Sequence, residues 1–237
     1  MAEICVTLTA NAGVCIEIGK HCIWVDALHQ EMQPGFSAVS QKVYQQLLND
    51  PTFAEPAYIC ATHCHPDHYS GAMVGEAKRL WKNTQLCLPE QEFADQILIS
   101  GETFVVKKDN LTLEFIRLPH EGAQYAGVKH YGILLSIDGK NILIAGDCET
   151  ASPILAKAVG DRQIDLAILN FPWVTLSKGR AFVTEALKPK HILLCHLPFA
   201  EDDVGGFRAS ARRNERLLEN VDVRLLSEPL QREIINI

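Results

Sequence analysis

Short β-branched runs that half-alternate with polar positions open the chain. Residues 3–26 read as strands broken by turns at Asn11-Ala12-Gly13 and Gly19-Lys20-His21, and 13–18 and 21–26 alternate like adjacent hairpin strands. The spacing then lengthens. Ser37 is a candidate cap for a helix over 38–49, which Asn49-Asp50-Pro51 would stop. Ala57–Ala61 is an apolar run of strand length and predicts a buried strand. Thr62–Asp67 follows as a loop, and 68–81 returns to helical spacing. Beyond residue 100 the pattern changes back: strands are expected over 103–106, 111–118, 131–137 and 141–146, with Asp138-Gly139 as the hairpin turn between the last two. A helix over 150–159, a strand over 165–169, a helix over 180–187, a strand over 190–195, a helix over 206–219 and a strand near 222–226 complete the reading. Strands and helices thus come in two successive mixed sets. That order predicts an α/β fold of two mixed sheets packed face to face with helices outside.

Composition narrows the classes. No repeat, low-complexity tract or linker separates the two sets, and 237 residues suit one α/β unit, so a single domain over 1–237 is expected. No stretch approaches the roughly 20 apolar residues of a membrane span. The N-terminus has no basic region ahead of an apolar one, which points to a cytoplasmic protein. The eight cysteines form no C-x-x-C pair and are read as reduced thiols. A net charge of −7 argues against broad nucleic-acid or anionic-membrane binding, so the expected partner is a small-molecule substrate. Oligomeric state is not legible.

One stretch carries chemistry: Thr62-His63-Cys64-His65-Pro66-Asp67-His68. Three imidazoles and a carboxylate within six residues, just after a buried strand, are a donor set for a borderline divalent metal such as zinc. Four ligands in so tight a loop cannot all meet one tetrahedral ion. His63 and His65 can point one way, while Asp67 and His68 turn into the helix and face a second ion. Each ion then needs donors from elsewhere. Three residues end apolar strands and qualify: His120, Asp147 and His196.

In this order and at these spacings, His63-x-His65-x-Asp67-His68, His120, Gly146-Asp147 and His196 resemble the metallo-β-lactamase-fold hydrolases. The resemblance runs from Asn11-Ala12-Gly13 to Leu197-Pro198. It implies a four-layer αβ/βα sandwich with a dinuclear centre at one edge of the two sheets. It also implies that His63, His65 and His120 hold one ion, that Asp67, His68 and His196 hold the other, and that Asp147 bridges them. Asp26 matches an aspartate that orients a ligand without binding metal; a plain turn residue is the other reading. The chain departs from the antibiotic-degrading members, which commonly have cysteine at the position of Asp147. It departs from the flavin-linked di-iron members, which usually have glutamate at the position of His65. The long inserted domain of the nucleic-acid-processing branch is missing from the pattern.

The implied mechanism is hydrolytic. Two divalent ions sharing a water lower its pKa from about 15.7 toward about 7, and the metal-bound hydroxide attacks a small ester, lactone, thioester or phosphodiester. Asp67 orients that hydroxide or carries its proton, a role that competes with its metal bond. Zinc is the expected metal, and manganese and iron accept the same donors. Two other functions stay open: a nuclease or phosphodiesterase acting on nucleic acid, and a metal-loaded binding module without turnover.

Several residues carry two readings each. His29 is a substrate contact or a surface-loop histidine. His130 donates to a developing oxyanion or is structural. Lys178 and Arg180 bind an anion or are solvated charges, and Trp173 walls a pocket or fills core. Cys64, Cys148 and Cys195 are small buried fillers or redox-sensitive thiols.

Overall fold

A computed structural model describes residues 3–30 and 34–237. The opening alternation forms β1 (Glu3–Ala10), β2 (Gly13–Ile18) and β3 (His21–Val25), an antiparallel meander in which Val6, Ile16 and Ile23 stand in one cross-strand row. Next come α1 (Gln41–Asn49), β4 (Tyr58–Cys60), α2 (Gly71–Leu80), β5 (Gln85–Leu88) and β6 (Ile97–Leu98). From β3 to β6 neighbouring strands run parallel. Parallel neighbours need crossovers, and α1 and α2 supply the first two.

The chain then forms an antiparallel run of β7 (Thr103–Lys108), β8 (Leu111–Arg117), β9 (Tyr131–Ile137) and β10 (Lys140–Ile144). Asp138 and Gly139, with φ of 48° and 79°, make the left-handed pair that a two-residue hairpin requires. There follow α3 (Pro153–Val159), β11 (Leu166–Asn170), α4 (Pro172–Thr175), α5 (Ser177–Phe182), β12 (His191–Cys195), α6 (Phe207–Asn214), β13 (Asp222–Leu225) and β14 (Arg232–Asn236). β10 to β13 run parallel. Among the described residues the strands form two mixed seven-stranded sheets, ordered β14-β1-β2-β3-β4-β5-β6 and β13-β12-β11-β10-β9-β8-β7.

The chain divides into two compact units. One comprises the residues up to Ile99 with His196–Gly205 and Leu226–Ile237; the other comprises Ser100–Cys195 and Gly206–Leu225. The first sheet lies in the first unit, where Ile4, Val6, Leu8, Ile16 and Ile23 are buried and Trp24 meets Trp81 edge-on at 5.3 Å. The second sheet lies in the second unit, around buried Phe115, Leu134, Leu143, Ile168 and Leu193, with Trp173 among the buried residues. Burial of this kind contributes about 25 cal/mol per Å² of apolar surface and is the main stabilising term.

Several boundaries differ from the sequence reading. The first helix begins at Gln41, and its cap is Ser40, whose Oγ accepts from Val43 N at 3.2 Å. Ser37 instead donates to Asp202 Oδ2 at 2.6 Å and accepts from Phe199 N at 2.8 Å, so its hydroxyl ties two loops together. The helix expected over 180–187 starts earlier, as α5 at Ser177, and passes into a π-turn over Val183–Leu187, while α4 forms in the segment expected to be a loop. The helix expected over 206–219 stops at Asn214 and tightens into a 3₁₀ turn over Glu215–Leu217. β14 is the largest addition: the chain end returns to pair with β1, outside the expected two-set order.

The β1–β2 turn is built with little clearance. A Cβ on Gly13 would stand 2.4 Å from Thr9 Oγ1 and 2.6 Å from the Asp26 carbonyl oxygen. The second contact is backbone and cannot rotate away. Gly13→Ala is therefore expected to destabilise the fold by about 2 kcal/mol or more. The check is a lower urea midpoint at unchanged slope, and a wild-type midpoint would show that the turn can spread.

Candidate metal centre

The residues that carry donors sit at strand ends and on tight turns, several in backbone conformations that L-residues enter at a cost. Asn11, Asp26 and His196 have φ of 50°, 51° and 58°. Each such non-glycine residue costs on the order of 1–2 kcal/mol and persists only where surrounding bonds hold it. At Asp147 the turn is made by the preceding Gly146, at φ 57°.

In the first unit the loop after β4 presents its histidines against a buried carboxylate. Asp26 Oδ1 accepts from Thr62 N at 2.7 Å, and its Oδ2 accepts from Thr62 Oγ1 at 2.7 Å and from His68 Nδ1 at 3.0 Å. Thr62 Oγ1 in turn accepts from His63 Nδ1 at 3.0 Å. Asp26 therefore orients two imidazoles, one directly and one through a hydroxyl. A ring that donates through Nδ1 and stays neutral turns the lone pair of Nε2 the other way, which is the state a metal ligand needs. His63 Nε2 lies 3.0 Å from His65 Nδ1.

Asp67, His68 and His196 form a buried triangle of donors. His68 Nε2 and His196 Nε2 are 3.2 Å apart, and Asp67 Oδ2 is 3.9 Å and 3.8 Å from them. Ligands roughly 2.0–2.2 Å from one tetrahedral ion stand roughly 3.3–3.6 Å from each other. Three donors of metal-ligating type at this separation fit a divalent cation. The Phe36 ring meets His196 edge-on at 4.6 Å.

The second unit carries the other two residues. The loop after β8 and the loop after β10 are joined by backbone bonds, Glu121 N to Asp147 O and Glu149 N to Pro119 O, both 2.8 Å. His120 Nδ1 donates to the Glu121 carbonyl at 2.8 Å, which leaves Nε2 to face Asp147 Oδ2 at 3.6 Å. Asn170 Nδ2 donates to Asp147 Oδ1 at 2.5 Å and fixes the plane of that carboxylate.

The secondary candidates resolve differently. His29 is wholly buried, which excludes the surface-loop reading. Its Nε2 donates to the Ala10 carbonyl at 3.2 Å, so meeting a substrate would break that bond. Burial lowers its pKa to about 4 and keeps the ring neutral. His130 is also wholly buried and stands edge-on to His120 at 5.7 Å. Arg180 donates to the Val174 and Thr175 carbonyls at 2.8 Å and 3.0 Å, capping α4, and Lys178 pairs with Glu121 at 3.5 Å. Trp173 is core. Burial pushes the Cys64 thiol up to about 12 and raises that of Cys148, and all eight cysteines are unbridged.

Three residues of the site went unread in the sequence: Thr62, Asn170 and Asn11. Thr62 adjoins the histidines and Asn170 ends an apolar strand, but neither position by itself separates a site residue from an ordinary turn or strand-end residue. Asn11 was visible only as a turn residue.

No protein-family model and no curated protein sequence matches this chain. Solved structures do. The metallo-beta-lactamase fold protein YhfI from Bacillus subtilis aligns over 99% of this chain and 100% of its own, with a TM-score of 0.65 at 12% identity. Igni18, a metallo hydrolase from Ignicoccus hospitalis, aligns over 99% of both chains, with a TM-score of 0.68 at 13% identity. An isothiocyanate hydrolase from Delia radicum gut bacteria aligns over 98% of this chain and 99% of its own, with a TM-score of 0.68 at 16% identity. The chain therefore has the metallo-β-lactamase fold.

Proposed function

We propose that the chain is a dinuclear metal-dependent hydrolase of a small ester, lactone, thioester or phosphodiester. One observation carries the reading: Asp67 and His68, adjacent in sequence, and His196, 128 positions beyond His68, bring one carboxylate oxygen and two ring nitrogens within 3.9 Å of each other. Hydrolase names among the structures that share the fold support it. In this reading the chain works as one domain. Asp67, His68 and His196 would hold one ion, His63, His65 and His120 would hold the other, and Asp147 would serve both. Zinc suits these nitrogen and oxygen donors and their tetrahedral-scale separation. The protein is cytoplasmic and acts on a small molecule, with neither nucleic acid nor a membrane as partner.

When bound, the ions supply positive charge that polarises a substrate oxygen and acidifies water. The protein's part is orientation. Asp26 fixes His68 directly and His63 through Thr62, the Glu121 carbonyl fixes His120, and Asn170 fixes one oxygen of Asp147. Held this way, the rings need little reorganisation to meet charge, which is where such sites gain rate. The Asp67 carboxylate accepts and returns a proton. His130 packs beside His120 and supports its ring.

Elemental analysis of purified protein is expected to give close to two equivalents of metal per chain. A lactone, a thioester and a bis-aryl phosphodiester form the first substrate panel, and chelator should abolish whichever hydrolysis is seen. Protein that purifies without metal and takes up none would contradict the centre. Metal-replete protein that turns over none of the three would contradict the hydrolase and favour a binding module.

A further inference from the structure

Asn11 lies in the β1–β2 turn, wholly buried, and its two ends hold two different donors. Its backbone carbonyl accepts from His196 N at 2.9 Å. Its side-chain Nδ2 donates to the Asp67 carbonyl at 3.2 Å and to Asp67 Oδ2 at 3.3 Å, and stands 3.4 Å from His196 Nε2. Asp67 Oδ2 is the same oxygen that completes the triangle with His68 and His196. One residue thus joins a loop after β4 to a loop after β12, through contacts that span 56 and 185 positions of sequence.

The turn does not need asparagine for its own sake. At φ 50° glycine is the least strained choice, and asparagine is the side chain that tolerates the left-handed region while still offering an amide. The amide is spent on Asp67. A carboxylate that receives a hydrogen bond at its ligating oxygen loses rotational freedom and some negative charge, which sets both the position and the strength of the ligand. Among the described residues the buried Asn11 Oδ1 has no hydrogen-bond partner, whereas the NH₂ group has Asp67.

We propose that Asn11 is a positioning residue for the Asp67–His68–His196 metal site, acting through Asp67 and His196. The inference rests on the dinuclear reading above. Its scope is the ligand set alone, whatever substrate the enzyme takes.

Asn11→Gly separates this role from that of a turn residue. Glycine keeps the backbone carbonyl that receives His196 N and relieves the left-handed strain, but it removes the amide. Apo-protein stability is then expected to stay at or slightly above wild type. Affinity for one of the two zinc equivalents should fall about 10–100-fold in chelator-competition titrations with zinc alone. Asn11→Ala, which keeps the strain and also lacks the amide, should lose the same affinity and serves if the glycine variant folds poorly. Two tight equivalents of unchanged affinity in either folded variant would overturn the proposal while leaving the dinuclear reading intact. Wild-type protein that binds no zinc would instead remove the reading on which it rests.

Discussion

Asp67→Asn is expected to lower turnover by about 10²–10⁴-fold on whichever panel substrate is hydrolysed, the range that loss of a positioned acid–base group produces. The substitution preserves shape and one carbonyl oxygen. It removes the charge that faces His68 and His196 at 3.9 Å and 3.8 Å, and it removes the ability to hold a proton. The side chain is buried and already bonded through Oδ2 to Asn11, so the new amide has little room to reorient. Measuring kcat, kcat/KM and metal content on one sample tells the two contributions apart. A fall in kcat at full metal content marks the proton-carrying role. A fall that tracks one lost equivalent, and that excess zinc restores, marks the ligand role. Turnover within about threefold of wild type would remove Asp67 from the mechanism.

Legibility followed sequence separation. His63, His65, Asp67 and His68 were readable because their spacing is local and their side chains have few other reasons to cluster. His120, Asp147 and His196 were readable only as polar residues that end apolar strands, and their grouping leaned on family resemblance. Thr62, Asn11 and Asn170 were not readable as site residues. Threonine and asparagine are ordinary in turns, and nothing local says that Thr62 relays Asp26 to His63 or that Asn11 reaches Asp67. The same limit applies to the fold. Hairpins with their own turn chemistry, such as Asp138-Gly139, were fixed locally. β14, in Arg232-Glu233-Ile234-Ile235-Asn236, has too few apolar positions to read as a strand, and it becomes one by pairing with β1, over two hundred residues away. Ser37 was the expected cap, but tertiary bonds to Asp202 and Phe199 engage its hydroxyl, and the helix is capped by Ser40.

Acid should weaken the first unit through His29. The folded ring is wholly buried, and burial lowers its pKa from 6.5 to about 4; the bond to the Ala10 carbonyl only partly offsets this. In the unfolded chain the same ring titrates near its ordinary value. Between about pH 6.5 and about pH 4 the unfolded state therefore binds a proton that the folded state does not, and stability falls as pH falls. The full difference corresponds to about 3 kcal/mol, present above the upper limit and lost by the lower one. Carboxylates contribute their own acid dependence, so the measurement is a comparison. His29→Gln keeps an NH₂ group in reach of Ala10 O but does not titrate. Urea unfolding across pH 7 to 4.5 should show the wild type losing stability more steeply than the variant, with the two curves converging toward acid. Parallel curves would mean that His29 already titrates normally in the folded chain, and hence that water or a polar partner reaches its Nδ1.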